Sequence, residues 1–203
     1  MSTLPVEADR TMISDETVVR ARTDRNAFAA LYERYYPRVL RYCVRRLFVR
    51  GVAEDVVGDV FVQIAGHLPA FAGRTETDFR RWLFRIASNA VNAHLRQTLR
   101  RQQLWDAAAS GRRLASTRGE ESPGQPIDLL DWPAVYQAIL ELEPRDQTIL
   151  TLRYYADLSF DEIAGVVGAT AGAVRTALSR CLERLRARFD VQPGENALPQ
   201  GQP

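Results

Sequence analysis

The chain has 203 residues and a formal net charge of only +2, and its 27 basic residues are all arginine. This length suits one large core or two small ones. The sequence offers neither an apolar run of about 18 residues that could cross a bilayer nor the apolar stretch of a signal peptide. We therefore expect a cytoplasmic protein without membrane insertion. Two cysteines at apolar positions and two histidines without partners at ligand spacing predict no disulfide, no metal site and no cofactor.

The first part of the chain changes from irregular to helical. We expect residues 1–23 to be a flexible leader, because they show little periodicity. From residue 24 to about residue 48, apolar side chains recur at helical intervals. Pro37 predicts a break followed by a new helical start, and Gly51 predicts the turn that follows. The next helix, over about residues 53–65, is expected to bury Val56, Val57, Val60, Phe61 and Ile64 and to show Glu54, Asp55 and Asp59 on its other faces.

A loop and a long basic helix come next. The helix is predicted over about residues 78–100, and residues 74–101 hold seven arginines against two acidic residues. Interleaved with these arginines are four aromatic residues, Phe71, Phe79, Trp82 and Phe84. Such interleaving suits single-stranded nucleic acid, because bases stack on the rings while arginine holds the backbone. Core packing is the competing interpretation for each ring, and Phe79 lies on the predicted buried stripe.

The second half of the chain begins with a change in composition. Residues 102–131 lose the helical regularity and contain several glycines and prolines, so we interpret them as a flexible linker. Two amphipathic helices are predicted over residues 132–142 and 145–155. The segment 191–203, rich in Pro, Gly and Gln, is expected to be a disordered tail. No convincing period-two stretch occurs, so the predicted fold is all-α, with two small helical domains joined by the linker.

Residues 159–186 have the layout of a helix-turn-helix. Ser159 and Glu162 have the spacing of a capping box, Gly168 permits a left-handed turn, and Thr170 can cap the second helix. The apolar stripe of that helix leaves an outward face of Arg175, Thr176, Ser179, Arg180 and Arg184. Such a face suits a DNA groove, because arginine forks onto guanine or phosphate and a hydroxyl bonds a base edge. An ordinary helical hairpin with a solvated polar face is the alternative.

Four segments in this order resemble a bacterial sigma factor of the small two-domain extracytoplasmic-function (ECF) group. They are FAALYERYYPRVLRYCVRRL, AEDVVGDVFVQIAGHLPAF, FRRWLFRIASNAVNAHLR and LEPRDQTILTLRYYADLSFDEIAGVVGATAGAVRTALSRCLERLR. The resemblance covers residues 24–101 and 132–188. It implies a non-enzymatic specificity subunit of RNA polymerase, whose partners are core RNA polymerase, promoter DNA and an anti-sigma factor.

The resemblance also implies roles for individual residues. Residues 24–101 correspond to sigma region 2, which binds core polymerase and the minus-10 element, and residues 132–190 correspond to sigma region 4, which binds the minus-35 element. Polymerase contact falls to Glu54, Asp55, Asp59 and Phe61. The loop over residues 67–78 accepts a flipped base, and the other minus-10 contacts fall to Arg80, Arg81, Trp82, Arg85, Ser88, Asn89, Asn92 and Arg96. The minus-35 contacts fall to Thr170, Gly172, Ala173, Arg175, Thr176, Ser179 and Arg180.

The chain departs from the ECF pattern at two positions. Gly58 stands where many relatives have glutamine, and Ala177 stands where the recognition helix often has a basic residue.

Two other functions compete with the sigma factor. One is a stand-alone helix-turn-helix regulator, bound as a dimer to a palindrome, although such a protein has no need of a strand-capturing surface. The other is a helical enzyme acting on nucleic acid. No nucleophile and base pair, metal cluster or glycine-rich phosphate loop stands out to support it.

Overall fold

A computed structural model of the chain describes residues 13–110 and 132–189. The chain divides into two compact units between Glu121 and Ser122. All regular elements among the described residues are helical, which confirms the predicted all-α fold. Unit 1 contains α1 (Asp15–Arg20), α2 (Arg25–Leu47), α3 (Arg50–His67), a 3-10 turn (Leu68–Ala70) and α4 (Glu76–Ser110). Unit 2 contains α5 (Trp132–Leu140), α6 (Pro144–Tyr155), α7 (Phe160–Val167) and α8 (Ala171–Phe189).

The core of unit 1 lies where α2, α3 and α4 pack together. Each helix contributes apolar side chains at three- and four-residue spacing. The completely buried side chains include Tyr35 of α2, Ile64 of α3 and Leu83 of α4. Burying one such side chain stabilises the fold by roughly 1.5–3 kcal/mol. The core therefore fixes the outer faces of α3 and α4 as surfaces available to partners.

The helix α2 runs without interruption from Arg25 to Leu47 and contains Pro37. The predicted break at this proline is wrong. A proline removes one backbone hydrogen bond and crowds the preceding turn, but Pro37 is exposed, so water can hydrate the carbonyl that loses its partner. Tyr35 and Val39 are completely buried on either side and hold the helix in place.

The turn between α2 and α3 lies at Phe48, which has a left-handed φ of 62° and donates its backbone N–H to the Val44 carbonyl oxygen at 2.8 Å. The prediction that Gly51 forms this turn is wrong, because α3 begins at Arg50 and already includes that glycine. A bulky residue rarely adopts a positive φ, and nothing in the local pattern marks Phe48 as the exception. The helix extends beyond the predicted bounds at both ends and stops at His67.

Two predicted boundaries of irregular structure also need correction. Residues 15–20 form α1, and Val18 on this helix is completely buried, so the flexible leader predicted over residues 1–23 does not include this segment. The helix α4 continues to Ser110, so the linker predicted over residues 102–131 begins inside a helix. The rest of that linker, the first 12 residues and the predicted tail over residues 191–203 lie outside the described residues.

Unit 2 is built around α6, whose central residues are buried. The side-chain amide of Gln147 donates to the carbonyl oxygens of Leu140 at 3.2 Å and Leu142 at 2.8 Å, which closes the turn from α5 into α6. The core between α6, α7 and α8 includes Ile149, Leu152, Leu158, Ile163, Val174, Leu178 and Cys181. This core orients α8 so that its polar face points away from the rest of the unit.

Candidate nucleic-acid interface

The start of α7 is fixed by a reciprocal pair of hydrogen bonds. The Ser159 hydroxyl accepts from the backbone N–H of Glu162 at 3.3 Å, and the Glu162 carboxylate accepts from the backbone N–H of Ser159 at 2.8 Å. The helix ends at Gly168, whose φ is 65°. The Thr170 hydroxyl then accepts from the backbone N–H of Ala173 at 3.2 Å and caps α8. The predicted capping box, left-handed turn and second cap are thus all present.

The seven residues assigned to minus-35 DNA are all exposed. Six of them lie in the first half of α8, and the seventh immediately precedes this helix. They are Thr170, Gly172, Ala173, Arg175, Thr176, Ser179 and Arg180. Two of the hydroxyls are hydrogen-bonded within the helix: Thr176 donates to the Gly172 carbonyl at 3.1 Å, and Ser179 donates to the Glu183 carboxylate at 3.4 Å. Each hydroxyl oxygen keeps an accepting lone pair. In this conformation the arginines are therefore the donors that face outward.

Arg175 is held against the ring of Phe160. The guanidinium carbons of Arg175 and Arg153 each lie 5.0 Å from the centroid of this ring. Arg153 also donates to the Leu158 carbonyl at 3.0 Å. Contact between an arginine and an aromatic ring contributes about 0.5–1 kcal/mol at exposed sites, so Phe160 restricts where the Arg175 side chain can reach. Nothing in the local sequence pattern distinguishes Phe160 from the other apolar residues of α7, so this support becomes visible only in the structure.

A shallow cleft separates the start of α6 from α8, and its lining includes Arg145, Asp146, Ala177 and Arg180. Arg145 is exposed and lies on the other side of this cleft from α8. The small side chain at position 177 leaves the cleft open. The sequence pattern did not mark Arg145, since it belongs to a different helix and lies in a segment that is acidic on average.

The eight residues assigned to minus-10 DNA are in three different environments on α4. Arg85, Asn89 and Arg96 are exposed, whereas Arg80, Arg81, Trp82 and Asn92 are partly buried. Ser88 is only 4% exposed, and its oxygen accepts the Tyr42 hydroxyl at 2.9 Å. The assignment of Ser88 to a DNA contact needs correction: its side chain faces the core, because Ser88 lies four residues after Phe84 and three before Val91, and both of these are completely buried.

A second polar contact joins α2 to α4. Arg46 is only 2% exposed and donates to the Asn92 side-chain oxygen at 3.0 Å. Burial raises the pKa of the nearby Tyr42 hydroxyl, so this group stays protonated and remains a donor to Ser88. Asn92 therefore has a structural partner within the protein itself.

An aromatic cluster lies between the loop before α4 and the first turns of that helix. Phe71 and Trp82 stack with centroids 4.6 Å apart and planes inclined by 22°, and both side chains are partly exposed. Phe79 is completely buried, with its centroid 6.0 Å from Trp82 and 5.4 Å from Tyr35. Core packing is thus the observed role of Phe79, while Phe71 and Trp82 keep edges that a base can reach.

The loop before α4 is closed by its own hydrogen bonds. The Asp78 carboxylate accepts from the backbone N–H groups of Arg74 and Thr75, each at 3.2 Å, and the Thr75 hydroxyl accepts from the backbone N–H of Asp78 at 3.1 Å. A side-chain hydrogen bond between the Asp78 carboxylate and Thr75, together with the bonds from the two backbone N–H groups, lowers the pKa of Asp78. A Cβ at Gly73 would lie 2.3 Å from the Phe71 ring, so only glycine permits this approach.

The exposed face of α3 is acidic with an apolar patch. Glu54, Asp55 and Asp59 are all exposed, and Val62 beside them is 74% exposed. Phe61 points the other way: it is 6% exposed and packs against Tyr32 with centroids 4.8 Å apart. The assignment of Phe61 to a polymerase contact therefore needs correction, since this ring supports the acidic face from inside.

Neither a metal site nor a membrane span is visible in the part of the chain that the structure describes. No three His, Cys, Asp or Glu side chains of that part gather closely enough to hold an ion. None of its helices combines the length and the apolar character that crossing a bilayer requires. Cys43 and Cys181 are both free and buried, and burial raises the pKa of their thiols to about 12 and about 11, respectively.

Two family models match the chain, one in each unit. Residues 31–101 match Sigma-70 region 2, and residues 133–185 match Sigma-70, region 4. The chain is 31% identical over 172 residues to the ECF RNA polymerase sigma factor BldN of Streptomyces coelicolor, a match that covers 84% of this chain and 63% of that protein. It is 33% identical over 168 residues to the ECF RNA polymerase sigma factor SigD of Mycobacterium tuberculosis, covering 80% of this chain and 77% of that protein.

A solved structure shares the fold. The sigma factor RpoE of Bartonella quintana, crystallised in complex with the anti-sigma factor NepR, superposes with a TM-score of 0.61 at 19% sequence identity. The alignment covers 82% of this chain and 98% of that chain. At this level of identity the match concerns the arrangement of helices.

Proposed function

Because the chain belongs to the ECF group of the sigma-70 family of RNA polymerase sigma factors, we propose that it is a dissociable, non-enzymatic subunit of RNA polymerase. In the cytoplasm it directs the core enzyme to specific promoters and helps to melt the minus-10 element. The observation that carries this proposal is the pair of family matches, region 2 over residues 31–101 and region 4 over residues 133–185, in sigma factor order. A stand-alone regulator needs only the second of these units.

In region 4, α8 is the helix that enters the major groove at the minus-35 element. Its polar face is exposed, its start is fixed by the Thr170 cap, and Arg175 is preorganised on the Phe160 ring. Arginine forms bidentate contacts with guanine or with phosphate, and a side chain that is already restricted loses less entropy on binding. Arg175 is accordingly the first candidate for sequence readout. Arg180, which lines the same cleft as Arg145, is a candidate for a contact with the phosphate backbone of the DNA.

In region 2, α4 and the loop before it handle the melted strand. The partly exposed pair Phe71 and Trp82 offers stacking surface, and stacking contributes about 1–3 kcal/mol per base in single-strand complexes. Arg85 and Arg96 are exposed farther along the helix and supply positive charge for the backbone. Base flipping costs a few kcal/mol, which stacking and charge together can offset.

The exposed face of α3 is the proposed contact with core polymerase. Glu54, Asp55 and Asp59 present negative charge around the exposed Val62, a combination that fits a basic helical surface with an apolar centre. An acidic face of this kind is unsuited to DNA. The charge distribution therefore separates the polymerase contact from the two DNA contacts.

An anti-sigma factor is a further proposed partner. The Bartonella sigma factor that shares this fold was crystallised with one. Such a partner would compete with core polymerase, which can be tested by asking whether a protein co-purified with this chain from its own cells is displaced by added core enzyme.

The direct test of the proposed function is run-off transcription on genomic fragments with purified core polymerase, with and without this protein. We expect start sites that depend on the added protein. Absence of any such site, together with specific binding of the protein alone to a palindromic fragment, would support the stand-alone regulator instead.

The division of labour between the units can be tested with two substitutions. Arg175→Ala should weaken initial binding to duplex promoter, whereas Trp82→Ala should reduce opening, measured by permanganate reactivity of unpaired thymines, more than it reduces initial binding. Arg188→Ala is the matched control, because Arg188 is engaged with Glu141 at 3.0 Å. Equal loss of both steps in the two variants would contradict the assignment.

A further inference from the structure

The segment before α2 is a built part of unit 1. The Ser14 hydroxyl accepts from the backbone N–H of Thr17 at 3.2 Å and caps α1, while Val18 and Ala21 are 0% and 6% exposed. At the other end of the segment, Asp24 accepts from Arg20 at 2.6 Å and caps α2 through the backbone N–H of Asn26 at 2.8 Å. These bonds and buried contacts hold α1 against the unit at a defined position.

From this position α1 and the turn after it contact both ends of the loop over residues 71–76. Near the start of the loop, Arg22 donates to the Gly73 carbonyl oxygen, and its guanidinium carbon lies 5.9 Å from the centroid of the Phe71 ring. At the end of the loop, the Asp15 carboxylate accepts from the backbone N–H of Glu76 at 2.8 Å. That N–H belongs to the first residue of α4 and has no partner within the helix.

The two contact points control the aromatic pair. Gly73 packs directly against the Phe71 ring, because a Cβ added at this position would come within 3.0 Å of two ring atoms. Phe71 in turn stacks on Trp82 at 4.6 Å. Glu76 is held from a third direction, since its carboxylate accepts the Tyr35 hydroxyl at 2.8 Å. The exposed edges of Phe71 and Trp82 are therefore set by residues that lie outside the loop.

We propose that Arg22 and Asp15 are positioning residues for strand capture: they hold the loop over residues 71–76 in the shape that presents Phe71 and Trp82 to the melted minus-10 strand. This inference rests on the proposed function for the identity of the captured strand. It assigns a role in promoter opening to a segment that lies before the region 2 match over residues 31–101. Preorganisation matters here because a mobile loop would have to be ordered at the cost of part of the stacking free energy.

The first arm of the test uses the free protein and needs no promoter. With Trp105→Phe and Trp132→Phe as background, Trp82 is the only tryptophan in the chain. Arg22→Ala and Asp15→Ala should each shift Trp82 emission to the red and increase its quenching by acrylamide. Asp15→Asn, which keeps an accepting oxygen, should restore the wild-type signal.

Matched controls come from neighbouring residues of the same charge. Arg25→Ala and Glu16→Ala each remove an exposed charge close to the tested residue, and neither side chain makes a hydrogen bond to the loop. Both should leave the Trp82 signal unchanged. An unchanged signal in both Arg22→Ala and Asp15→Ala would overturn the proposal, whatever the outcome with DNA.

The second arm measures opening by holoenzyme on the genomic fragment that gives the strongest run-off product. Arg22→Ala and Asp15→Ala should reduce permanganate-reactive open complex about fivefold or more, the effect of losing about 1 kcal/mol of hydrogen bonding, while closed-complex affinity in the cold changes less than twofold. Asp15→Asn should recover opening. Equal loss in closed binding and opening, or loss in the two controls, would overturn the positioning role.

The two arms separate the inference from the function on which it rests. If wild-type protein yields no run-off product on any fragment, the proposed function fails, and the Trp82 signal still decides whether α1 positions the loop. If wild type is active and the loop loosens without any effect on opening, the sigma factor function stands and the positioning role is rejected.

Discussion

Two polar side-chain contacts, one buried and one partly buried, join α2 to the basic helix α4. Tyr42 donates to Ser88 at 2.9 Å, and Arg46 donates to Asn92 at 3.0 Å. A buried polar group that loses its partner costs more than the bond itself contributed. These residues therefore fix the rotation of α4 about its axis, and with it the direction in which Arg85 and Arg96 point.

Ser88→Ala is expected to lower the free energy of unfolding of unit 1 by about 1–3 kcal/mol, because the completely buried Tyr42 hydroxyl loses its acceptor. Amide hydrogen exchange on α4 measures this loss within the unit. Initial binding to duplex promoter should stay within twofold of wild type. The double variant Tyr42→Phe/Ser88→Ala should be less destabilised than the two single effects added together. If Ser88→Ala kept wild-type stability but weakened DNA binding, Ser88 would have to be assigned to the DNA contact instead.

Phe160→Leu is expected to weaken minus-35 binding about twofold to fivefold, the equivalent of about 0.5–1 kcal/mol, because leucine keeps the apolar bulk and removes the ring that holds Arg175. Affinity of the holoenzyme for duplex promoter is the measurement. Phe160→Tyr keeps the ring and should bind as wild type does. In an Arg175→Ala background, Phe160→Leu should have no further effect; a full additional loss there would show that the ring acts through something else.

Element boundaries follow local chemistry where that chemistry is strong. The sequence predicts both ends of α7 because a capping box and a left-handed glycine are local features, and the structure has both. The bounds of α2 and α3 depend instead on tertiary packing, which carries the helix through Pro37 and places Phe48 in the left-handed turn. For the same reason a six-residue helix such as α1 gives almost no periodic signal, and its burial at Val18 becomes visible only in the fold.

The two glycines around the start of α8 provide a prediction at this scale. Gly168→Ala should destabilise unit 2 by about 1–2 kcal/mol, because alanine disfavours the left-handed conformation, here with a φ of 65°. Gly172→Ala should stabilise it by about 0.5–1 kcal/mol, since Gly172 is helical and an added Cβ meets nothing within 4 Å. Amide hydrogen exchange on α8 measures both changes. If Gly168→Ala left stability unchanged or raised it, the turn at Gly168 would not be an obligatory left-handed position.

Charge in the whole molecule is segregated along the chain. The formal net charge is only +2, yet residues 172–188 contain five arginines and only one acidic residue. In contrast, Glu54, Asp55 and Asp59 share an exposed face of α3. Total charge therefore says little about partners, whereas the distribution of charge distinguishes the proposed DNA surfaces from the proposed polymerase surface. The sequence predicts this separation because it depends on which residues are exposed, and exposure follows helical periodicity. It could not predict Arg145, which lines a cleft together with residues of α8, or Arg22, which donates to the loop before α4.

The salt dependence of promoter binding tests this segregation. A phosphate contact releases counterions, so removing one should reduce the slope of log affinity against log salt by about 1. Arg180→Gln should have this effect, because Arg180 is exposed on the proposed DNA face of α8. Arg188→Gln removes the same charge from the same helix, but Arg188 is paired with Glu141 at 3.0 Å, and its slope should stay at the wild-type value. If both variants reduced the slope equally, net charge rather than a placed contact would govern binding, and the assignment of Arg180 to the DNA backbone would be rejected. A slope change confined to Arg180→Gln would instead locate one phosphate of the minus-35 element beside the cleft between α6 and α8.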